Sequence, residues 1–301
     1  ILLILKTLRF NQWTKNFLIF IPLFIARNYD LQASYYIIYS LLGFLSFSLV
    51  SSSGYLINDL IDIKKDQLHP IKKNRPIPSG KISKNKCSIL VLLLLCIGVY
   101  VGSFISLNFI YILIFYFLLS ITYSKFVKGI VFVDVIILTL FYVLRVYGGI
   151  IILNLQFSTL LLFFIFFFFL SLSLLKRYNE INNILKSNIE NQKYSFHLTK
   201  GYLYEDLNTI KSIGISSIFA SSVFLILYSH FGFGYSFSSI NFNIFMIIII
   251  IFFWINRIWI LSSRGKVDED PVNFVISDKV SYICLILVLS FFTIELFILN
   301  V

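Results

Sequence analysis

The chain of 301 residues is 58% hydrophobic, 18% aromatic and only 13% charged, with a mean hydropathy of +0.90. This composition excludes a soluble globular domain, and apolar runs of about 20 residues that recur along the chain indicate a multi-pass membrane protein. A net charge of +11 would suggest a nucleic-acid partner in a soluble protein. Here the positive-inside rule explains the charge, so no nucleic-acid partner is expected.

The apolar runs predict an all-α polytopic fold, because backbone groups in lipid must be hydrogen-bonded within their own segment. One integral-membrane domain is expected over residues 1–301, with no second domain and no cleavable signal peptide. About nine transmembrane helices are predicted, at residues 14–27, 34–57, 87–106, 108–124, 130–153, 157–175, 211–230, 241–262 and 280–300.

Lys and Arg residues predict the orientation in the membrane. They concentrate before the first span and in alternate loops, whereas the loops near residues 103–108, 153–157 and 231–240 contain none. The positive-inside rule then places the N-terminus and the long polar loops in the cytoplasm of a cell whose inner membrane holds the protein. The polar residues therefore gather on the cytoplasmic face, where we expect the active site.

The strongest local signal follows the second apolar run, in the sequence from Asn58 to Asp66. On a continuous helix Asp59, Asp62 and Asp66 fall at roughly 0°, 300° and 340°, with Asn58 at about 260°, so the three carboxylates share one face. Hard oxygen ligands of this kind suit Mg²⁺, which brings phosphates with it. A solvated, polar helix end is the alternative. Eight basic residues that follow favour the metal site: Lys64, Lys65, Lys72, Lys73, Arg75, Lys81, Lys84 and Lys86.

The loop from His69 to Gly80 contains three prolines and a glycine, which predicts a shaped loop. Lys72 and Arg75 in this loop are candidates to bind phosphate oxygens, with Arg able to do so through two hydrogen bonds. The alternative is that these cations serve only the positive-inside rule.

Near the N-terminus Arg9, Gln12, Trp13 and Asn16 share a face at helical spacing. This face is either an interfacial anchor, with its Trp at the headgroup level, or one wall of a polar cavity.

Two more ionisable groups stand within apolar runs. Asp134 and Arg145 are about 1100° apart on a helix and roughly 16 Å along its axis, so they share a side without pairing directly. Each is either functional or a structural partner within the bundle. Lys176, Arg177 and Glu180 follow the sixth span and suit either a phosphate site or a topogenic anchor. The three cysteines lie at or within apolar runs and are interpreted as small hydrophobic residues.

In this order, these features resemble the UbiA superfamily of intramembrane prenyltransferases over essentially the whole chain. The string from Asn58 to Asp66 matches the first aspartate-rich motif of that superfamily, which binds Mg²⁺-diphosphate. Tyr123 and Lys128 match its Tyr/Lys motif, with a spacing that is one residue longer. The resemblance implies a UbiA-like helical bundle with a cytoplasm-facing active site.

One departure indicates the branch. Most members carry a second Asp-x-x-x-Asp motif where this chain has Lys176, Arg177 and Glu180. The chain is similar instead to the polyprenyl-phosphate (decaprenyl-phosphate) phosphoribosyltransferase branch. That resemblance implies Mg²⁺-dependent transfer of 5-phosphoribose from phosphoribosyl pyrophosphate to a polyprenyl monophosphate, with release of diphosphate, as in cell-wall biosynthesis.

The resemblance also implies the site. Asp59, Asp62 and Asp66 would hold Mg²⁺ and act in catalysis, with Asn58 supporting them. The residues expected to bind substrate are Lys15, Asn16, Lys72, Arg75, Tyr123, Lys128, Asp134, Arg145, Lys176, Arg177 and Glu180.

Two alternatives stay open at this point. A prenyltransferase would move a prenyl group from a prenyl diphosphate to an aromatic or other acceptor, and the departure from the second acid motif disfavours it. A transporter or flippase would place its polar residues near the bilayer midplane. Membrane lipids are expected partners, and the sequence is compatible with either a monomer or a homo-oligomer.

Overall fold

The computed structural model describes residues 6–25, 33–67, 72–155, 158–188, 201–233, 242–267 and 271–299. Within these ranges all regular secondary structure is helical. Helices are the form in which an apolar segment satisfies its own backbone groups in lipid. The predicted all-α fold is therefore confirmed.

Eight long helices make up most of the described residues. They are α1 (Ala33–Ile61), α2 (Lys84–Ser103), α3 (Leu107–Thr122), α4 (Val133–Ile152), α5 (Thr159–Asn188), α6 (Asp206–Phe233), α7 (Phe242–Ser263) and α8 (Lys279–Leu299). Shorter helical segments are Phe10–Phe20 (a 3₁₀-helix), Ile21–Ile25, Ile63–Gln67, Lys72–Asn74 (3₁₀), Tyr123–Val127 (π) and Pro271–Ser277.

Among the described residues, seven helical segments in α1 to α7 are long and apolar enough to cross a membrane. The chain is thus a multi-pass membrane protein, and the predicted count of nine spans is approximate. The first predicted span falls on the 3₁₀-helix Phe10–Phe20 and the short helix Ile21–Ile25. The ninth falls on α8, whose apolar part is described over Lys279–Ile294.

The helices form two compact units. Unit 1 comprises residues 1–128 and 141–157, and unit 2 comprises residues 129–140 and 158–301. Helix α4 begins in unit 2 and ends in unit 1, and the other long helices each belong to one unit.

In unit 1 the middle of α1 lies in close contact with α2. A Cβ atom at Gly98 would lie 2.7 Å from the side chain of Val50 and 3.1 Å from the carbonyl oxygen of Ser46. The Ser46 hydroxyl donates a hydrogen bond of 2.7 Å to the Gly98 carbonyl. Small residues let membrane helices approach in this way, because packing rather than water drives their association. Buried Phe47 and Phe109 lie in the adjoining core.

In unit 2 the core is built around Trp259 of α7, which is buried with Leu174 and Leu175 of α5. The Trp259 indole N–H donates to the Ser171 hydroxyl at 2.9 Å, which satisfies the one polar atom of this large side chain. This core packs against the middle of α5, and the polar residues Lys176, Arg177 and Glu180 follow directly along that helix.

The start of α8 is tied to α7 in the same unit. Arg257 donates two hydrogen bonds, of 2.7 and 3.0 Å, to the carboxylate of Asp278. Asp278 also accepts from the backbone N–H of Ser281 at 2.9 Å and so caps α8. The hydrogen bonds from Arg257 hold the pKa of Asp278 below its usual value.

Candidate active site

The carboxylates predicted to share one face do so at the end of α1. After Ile61 the chain continues into Ile63–Gln67, and the bonds from Asp62 N to Asn58 O (3.0 Å) and from Asp66 N to Asp62 O (2.8 Å) keep the helical i to i−4 pattern. The side chains of Asp59 and Asp66 are buried and that of Asp62 is nearly so. Buried carboxylates require compensation of their charge, which neighbouring cations provide.

Basic side chains of unit 1 pair with all three acids. Arg75 Nη1 lies 3.1 Å from Asp59 and 2.9 Å from Asp66, so one guanidinium bridges both carboxylates. Lys128 pairs with Asp62, and its Nζ atom also lies 3.1 Å from Asn58 Oδ1. The structure thereby brings together six predicted site residues: Asn58, Asp59, Asp62, Asp66, Arg75 and Lys128.

The loop that carries Arg75 is shaped, as its prolines and glycine predicted. Gln67 donates to the Pro78 carbonyl at 3.2 Å, and the Gly80 N–H donates to the Ile77 carbonyl at 3.0 Å. Gly80 has φ of +76°, which suits a residue without Cβ. Ile77 is buried against the core of unit 1, so the loop presents Arg75 from a fixed base. Lys72 begins the short 3₁₀-helix in this loop.

A π-helical turn over Tyr123–Val127 places Lys128. The Lys128 N–H donates to the carbonyl of Tyr123, five residues earlier, at 3.1 Å. Such a turn accommodates one residue more than an α-helical turn does, and it often occurs at functional sites. It explains why the Tyr/Lys spacing is one residue longer without displacing Lys128 from Asp62. Tyr123 packs its ring at 6.0 Å from Phe141.

The N-terminal segment packs on α1 as a 3₁₀-helix, in which residues three apart align. Trp13 donates to the Ser52 hydroxyl at 3.0 Å, and Asn16 donates to the Ser48 hydroxyl at 2.9 Å. Trp13 and Asn16 are therefore one row against α1. Asn16 is fully buried, so this end of the row faces the protein interior.

Arg145 joins Asn16 in a buried network of unit 1. Its Nε donates to Asn16 Oδ1 at 2.7 Å and its Nη2 donates to the Tyr116 hydroxyl at 2.7 Å. The guanidinium also lies 5.0 Å from the centre of the Tyr116 ring and 5.8 Å from that of Tyr142. Arg145 is thus held by neutral groups, and Lys15 is half-buried in the segment beside it.

In unit 2 Arg177 pairs with both Asp134 and Glu180. Arg177 and Asp134 are 1% and 0% exposed, and the Tyr202 hydroxyl donates to Asp134 Oδ1 at 2.7 Å. Lys176, the neighbour of Arg177, is half-buried. The basic pair that was predicted as a phosphate site therefore contains one cation that is already bound to two carboxylates.

Tyr202 was not predicted, and it also fixes the approach to α4. Its hydroxyl accepts a hydrogen bond of 2.8 Å from the N–H of Phe132, whose φ of +68° is unusual for a residue with a Cβ atom. Burial raises the pKa of the Tyr202 hydroxyl above its usual range, and the carboxylate of Asp134 adds to the shift. A single tyrosine more than sixty positions away in the chain gives no sequence signal of these contacts.

Arg9 was also absent from the predicted site, although the sequence placed it on the face with Trp13 and Asn16. It forms an ion pair with Asp59 and lies with its guanidinium 5.3 Å from the centre of the Tyr55 ring. The cluster of Asp59, Asp62, Asp66, Asn58, Arg9, Arg75 and Lys128 is called the acid cluster below.

The acid cluster has the donor chemistry that Mg²⁺ prefers, namely three carboxylates and an amide oxygen. In the part of the chain that the structure describes, no three His, Cys, Asp or Glu side chains already converge on one metal position. Each carboxylate is paired with Arg or Lys instead. Asp59, Asp62 and Asp66 thus fit a magnesium ion by ligand type, provided that their cations exchange partners.

Comparison with known proteins gives a family match over most of the chain. The profile of the UbiA prenyltransferase family matches residues 17–277. The protein y4nM of Sinorhizobium fredii is 31% identical over 96% of this chain, which spans 55% of that relative's length. The nodulation protein NoeC of Azorhizobium caulinodans is 27% identical over 92% of this chain and 87% of its own. Decaprenyl-phosphate phosphoribosyltransferase of Mycolicibacterium smegmatis is 25% identical over 66% of this chain and 64% of its own.

Solved structures share the fold. A structure of digeranylgeranylglyceryl phosphate synthase has a TM-score of 0.65 at 19% identity and covers 97% of this chain and 96% of its own. A UbiA homologue from Archaeoglobus fulgidus bound to GPP and Mg²⁺ has a TM-score of 0.61 at 18% identity and covers 99% of each chain. At these identities the likeness concerns the fold alone.

Proposed function

Because the chain belongs to the UbiA prenyltransferase family, we propose that it is a Mg²⁺-dependent transferase that moves 5-phosphoribose from phosphoribosyl pyrophosphate to a polyprenyl monophosphate. The observation that carries this proposal is the acid cluster, in which carboxylates for a metal stand among cations for phosphates. A donor that presents a diphosphate together with a further phosphate suits such a mixture.

The unit 2 residues support this donor over a prenyl diphosphate. Asp134 and Glu180 are both held by the buried guanidinium of Arg177, so these two acids are engaged with a protein cation. A second carboxylate site for metal would need them released. The similarity to a decaprenyl-phosphate phosphoribosyltransferase over 66% of the chain also favours phosphoribosyl transfer.

The residues of the acid cluster divide by charge. Asp59, Asp62 and Asp66 would hold Mg²⁺, with Asn58 beside them, and Arg75 and Lys128 would bind phosphate oxygens of the donor. When bound, the metal would stabilise the charge that develops on the leaving diphosphate. Further substrate contacts are proposed for Lys15, Asn16, Lys72, Tyr123, Arg145 and Lys176. Asp134, Arg177 and Glu180, which the sequence also assigned to substrate, bind one another instead.

The reaction needs no general base. An oxygen of the lipid phosphate forms a bond to C1 of the ribose while the bond from C1 to the diphosphate oxygen breaks, and that electron pair leaves with the diphosphate. The attacking oxygen already carries a negative charge, so no proton has to be removed. Orientation and charge stabilisation are the tasks left to the protein.

We further propose that residues 1–301 act as one transferase domain in the inner membrane, with the N-terminus and the active site on the cytoplasmic side. The family match supports the single domain because it runs through residues of both units. Basic residues in alternate loops support the orientation. The partners would be phosphoribosyl pyrophosphate, the polyprenyl phosphate and the surrounding lipid.

The test uses the purified protein in detergent with Mg²⁺, a polyprenyl phosphate and phosphoribosyl pyrophosphate labelled in its ribose. Label should move into the organic phase, and EDTA should stop the transfer. Asp62→Asn should lower the transfer at least a hundredfold while the protein elutes as a folded species. Glu205→Gln, which removes an exposed carboxylate elsewhere, should keep wild-type transfer.

A second candidate is prenyl transfer from a prenyl diphosphate, which the acid cluster also favours, because carboxylates with Mg²⁺ suit any diphosphate. Labelled prenyl diphosphate distinguishes the two. Incorporation of that label into an acceptor, without any transfer from phosphoribosyl pyrophosphate, would refute phosphoribosyl transfer. Wild-type activity in Asp62→Asn would refute the assignment of the acid cluster.

A further inference from the structure

Charge within the acid cluster is balanced by the protein itself. The three carboxylates of Asp59, Asp62 and Asp66 face three cations, which are Arg9, Arg75 and Lys128. A divalent metal that entered this cluster alone would add two positive charges to a group that is already close to neutral. Such an ion gains little from carboxylates whose charge is shared with guanidinium groups, because like charges repel at these short distances.

Arg9 is the cation that the sequence did not assign. It sits at the start of the 3₁₀-helix with φ of +50°, in the left-handed region that a side chain with Cβ rarely adopts. The carbonyl of the preceding Leu8 accepts a hydrogen bond of 2.8 Å from Ser52 of α1. A backbone held in this conformation by α1 directs Arg9 to Asp59, and strain of this kind concentrates at functional sites.

The cations of the cluster are less buried than its acids. The side chains of Arg9 and Arg75 are 19% and 32% exposed, whereas those of Asp59 and Asp66 are 4% and 5% exposed. The arginine side chains are therefore partly open and can exchange one anion for another, while the carboxylates stay where α1 places them. Phosphate is a suitable replacement, because guanidinium binds it through two parallel hydrogen bonds.

We propose that Arg9 is a further diphosphate-binding residue of this site, and that Arg9 and Arg75 couple metal binding to diphosphate binding. Without diphosphate the two arginines neutralise Asp59 and Asp66. The two arginines then bind the diphosphate in place of the carboxylates, and the released carboxylates bind the metal that accompanies the diphosphate. The proposal rests on the proposed function for its ligand class, and it adds that metal and diphosphate bind together rather than independently.

Equilibrium dialysis with radioactive Mn²⁺ in place of Mg²⁺ tests the coupling. Protein in detergent is dialysed against Mn²⁺ with and without inorganic pyrophosphate, and only protein-bound metal makes the two chambers differ. Wild-type protein should bind Mn²⁺ at least tenfold more tightly when pyrophosphate is present. Equal binding under the two conditions would overturn the proposal, and this comparison requires no variant.

Variants then assign the coupling to the two arginines. Arg9→Gln and Arg75→Gln should each bind Mn²⁺ alone more tightly than the wild type, and each should reduce the enhancement by pyrophosphate several-fold. Lys73→Gln is the matched control, because it removes one exposed cation from the same loop as Arg75, and it should keep the wild-type enhancement. An Arg9→Gln protein with wild-type enhancement would remove Arg9 from the proposal.

The outcome of the dialysis experiment is independent of the outcome of the transfer assay. The dialysis contains neither lipid nor phosphoribosyl pyrophosphate, so it reports only on metal and diphosphate. Coupled binding without phosphoribosyl transfer would preserve the role of the arginines and refute the donor. Phosphoribosyl transfer without coupled binding would support the donor and refute the role of the arginines.

Discussion

The acid cluster of unit 1 and the Arg177 cluster of unit 2 (Arg177, Asp134, Glu180 and Tyr202) both pair arginine with buried carboxylates, but their arginines differ in exposure. Arg75 of the acid cluster is 32% exposed, whereas Arg177 is 1% exposed and its partner Asp134 is 0% exposed. A partly exposed cation can exchange its carboxylate partner for water or for a ligand. A cation enclosed with its carboxylates cannot leave without stranding buried charges.

This difference in exposure distinguishes a site that exchanges ions from an ion-pair group that stabilises the fold. In unit 1 the carboxylates are fixed and the cations are accessible, which suits a ligand that carries its own metal and phosphates. In unit 2 Arg177 joins α5 to the start of α4 through Asp134, and Tyr202 completes the contact. We therefore expect mutations in unit 2 to reduce stability and mutations in unit 1 to reduce binding.

The largest expected effect on stability belongs to Arg177→Gln. Loss of the guanidinium leaves the buried carboxylate of Asp134 without its ion pair, which costs about 3–5 kcal/mol. The midpoint of thermal unfolding in detergent should fall sharply, and the yield of monodisperse protein should fall with it. Lys176→Gln removes the same charge one residue earlier from a half-buried side chain and should change the midpoint little. Equal midpoints for the two variants would contradict the stabilising role of the Arg177 ion pairs.

Tyr202→Phe should have an intermediate effect. The variant leaves the Phe132 N–H and Asp134 each with one hydrogen bond fewer, at a cost of about 1–3 kcal/mol. Folding raises the pKa of the Tyr202 hydroxyl, so its contribution is complete below the unfolded pKa of about 10. The contribution is lost as pH rises through the folded pKa. The difference in unfolding midpoint between wild type and variant should therefore shrink above about pH 10. A difference that persists unchanged at high pH would show that the hydroxyl is not its source.

The smallest effect on stability is expected for Asp66→Asn in the acid cluster. Arg75 keeps its contact with Asp59, and the variant leaves no buried charge without a partner, so the free energy of unfolding should fall by less than it does in Arg177→Gln. Binding of Mn²⁺ in the presence of pyrophosphate should nevertheless weaken at least tenfold. A large loss of stability with unchanged metal binding would show that the acid cluster stabilises the fold and does not bind the metal.

Much of the fold follows from the sequence because lipid leaves an apolar segment little choice but helix. The predicted spans from 34–57 to 241–262 coincide with long helices for this reason. The spacing of Asp59, Asp62 and Asp66 likewise predicted their shared face, because the helical pattern continues past Ile61. The 3₁₀ form of the segment Phe10–Phe20 was not predictable, because its packing on α1 decides it.

Partner choice among charged residues lay beyond the sequence. The sequence placed Arg145 within an apolar run and Arg177 in a basic pair after the sixth span. In the structure Arg145 binds neutral Asn16 and Tyr116, whereas Arg177 binds two carboxylates. Helical periodicity gives the face of a residue on its own helix. It does not give the side chain that a distant segment brings to that face.

The sequence by itself determined that this is a multi-pass helical protein with three carboxylates on one face at a helix end, because composition and helical period are local properties. Tertiary structure decided which cations neutralise which carboxylates, and how far each is open to water. Arg9 enters the acid cluster and Tyr202 enters the Arg177 cluster because packing brings together residues separated by about fifty positions or more. Electrostatic partnership depends on distance and burial in space, and neither quantity is written in the order of the residues.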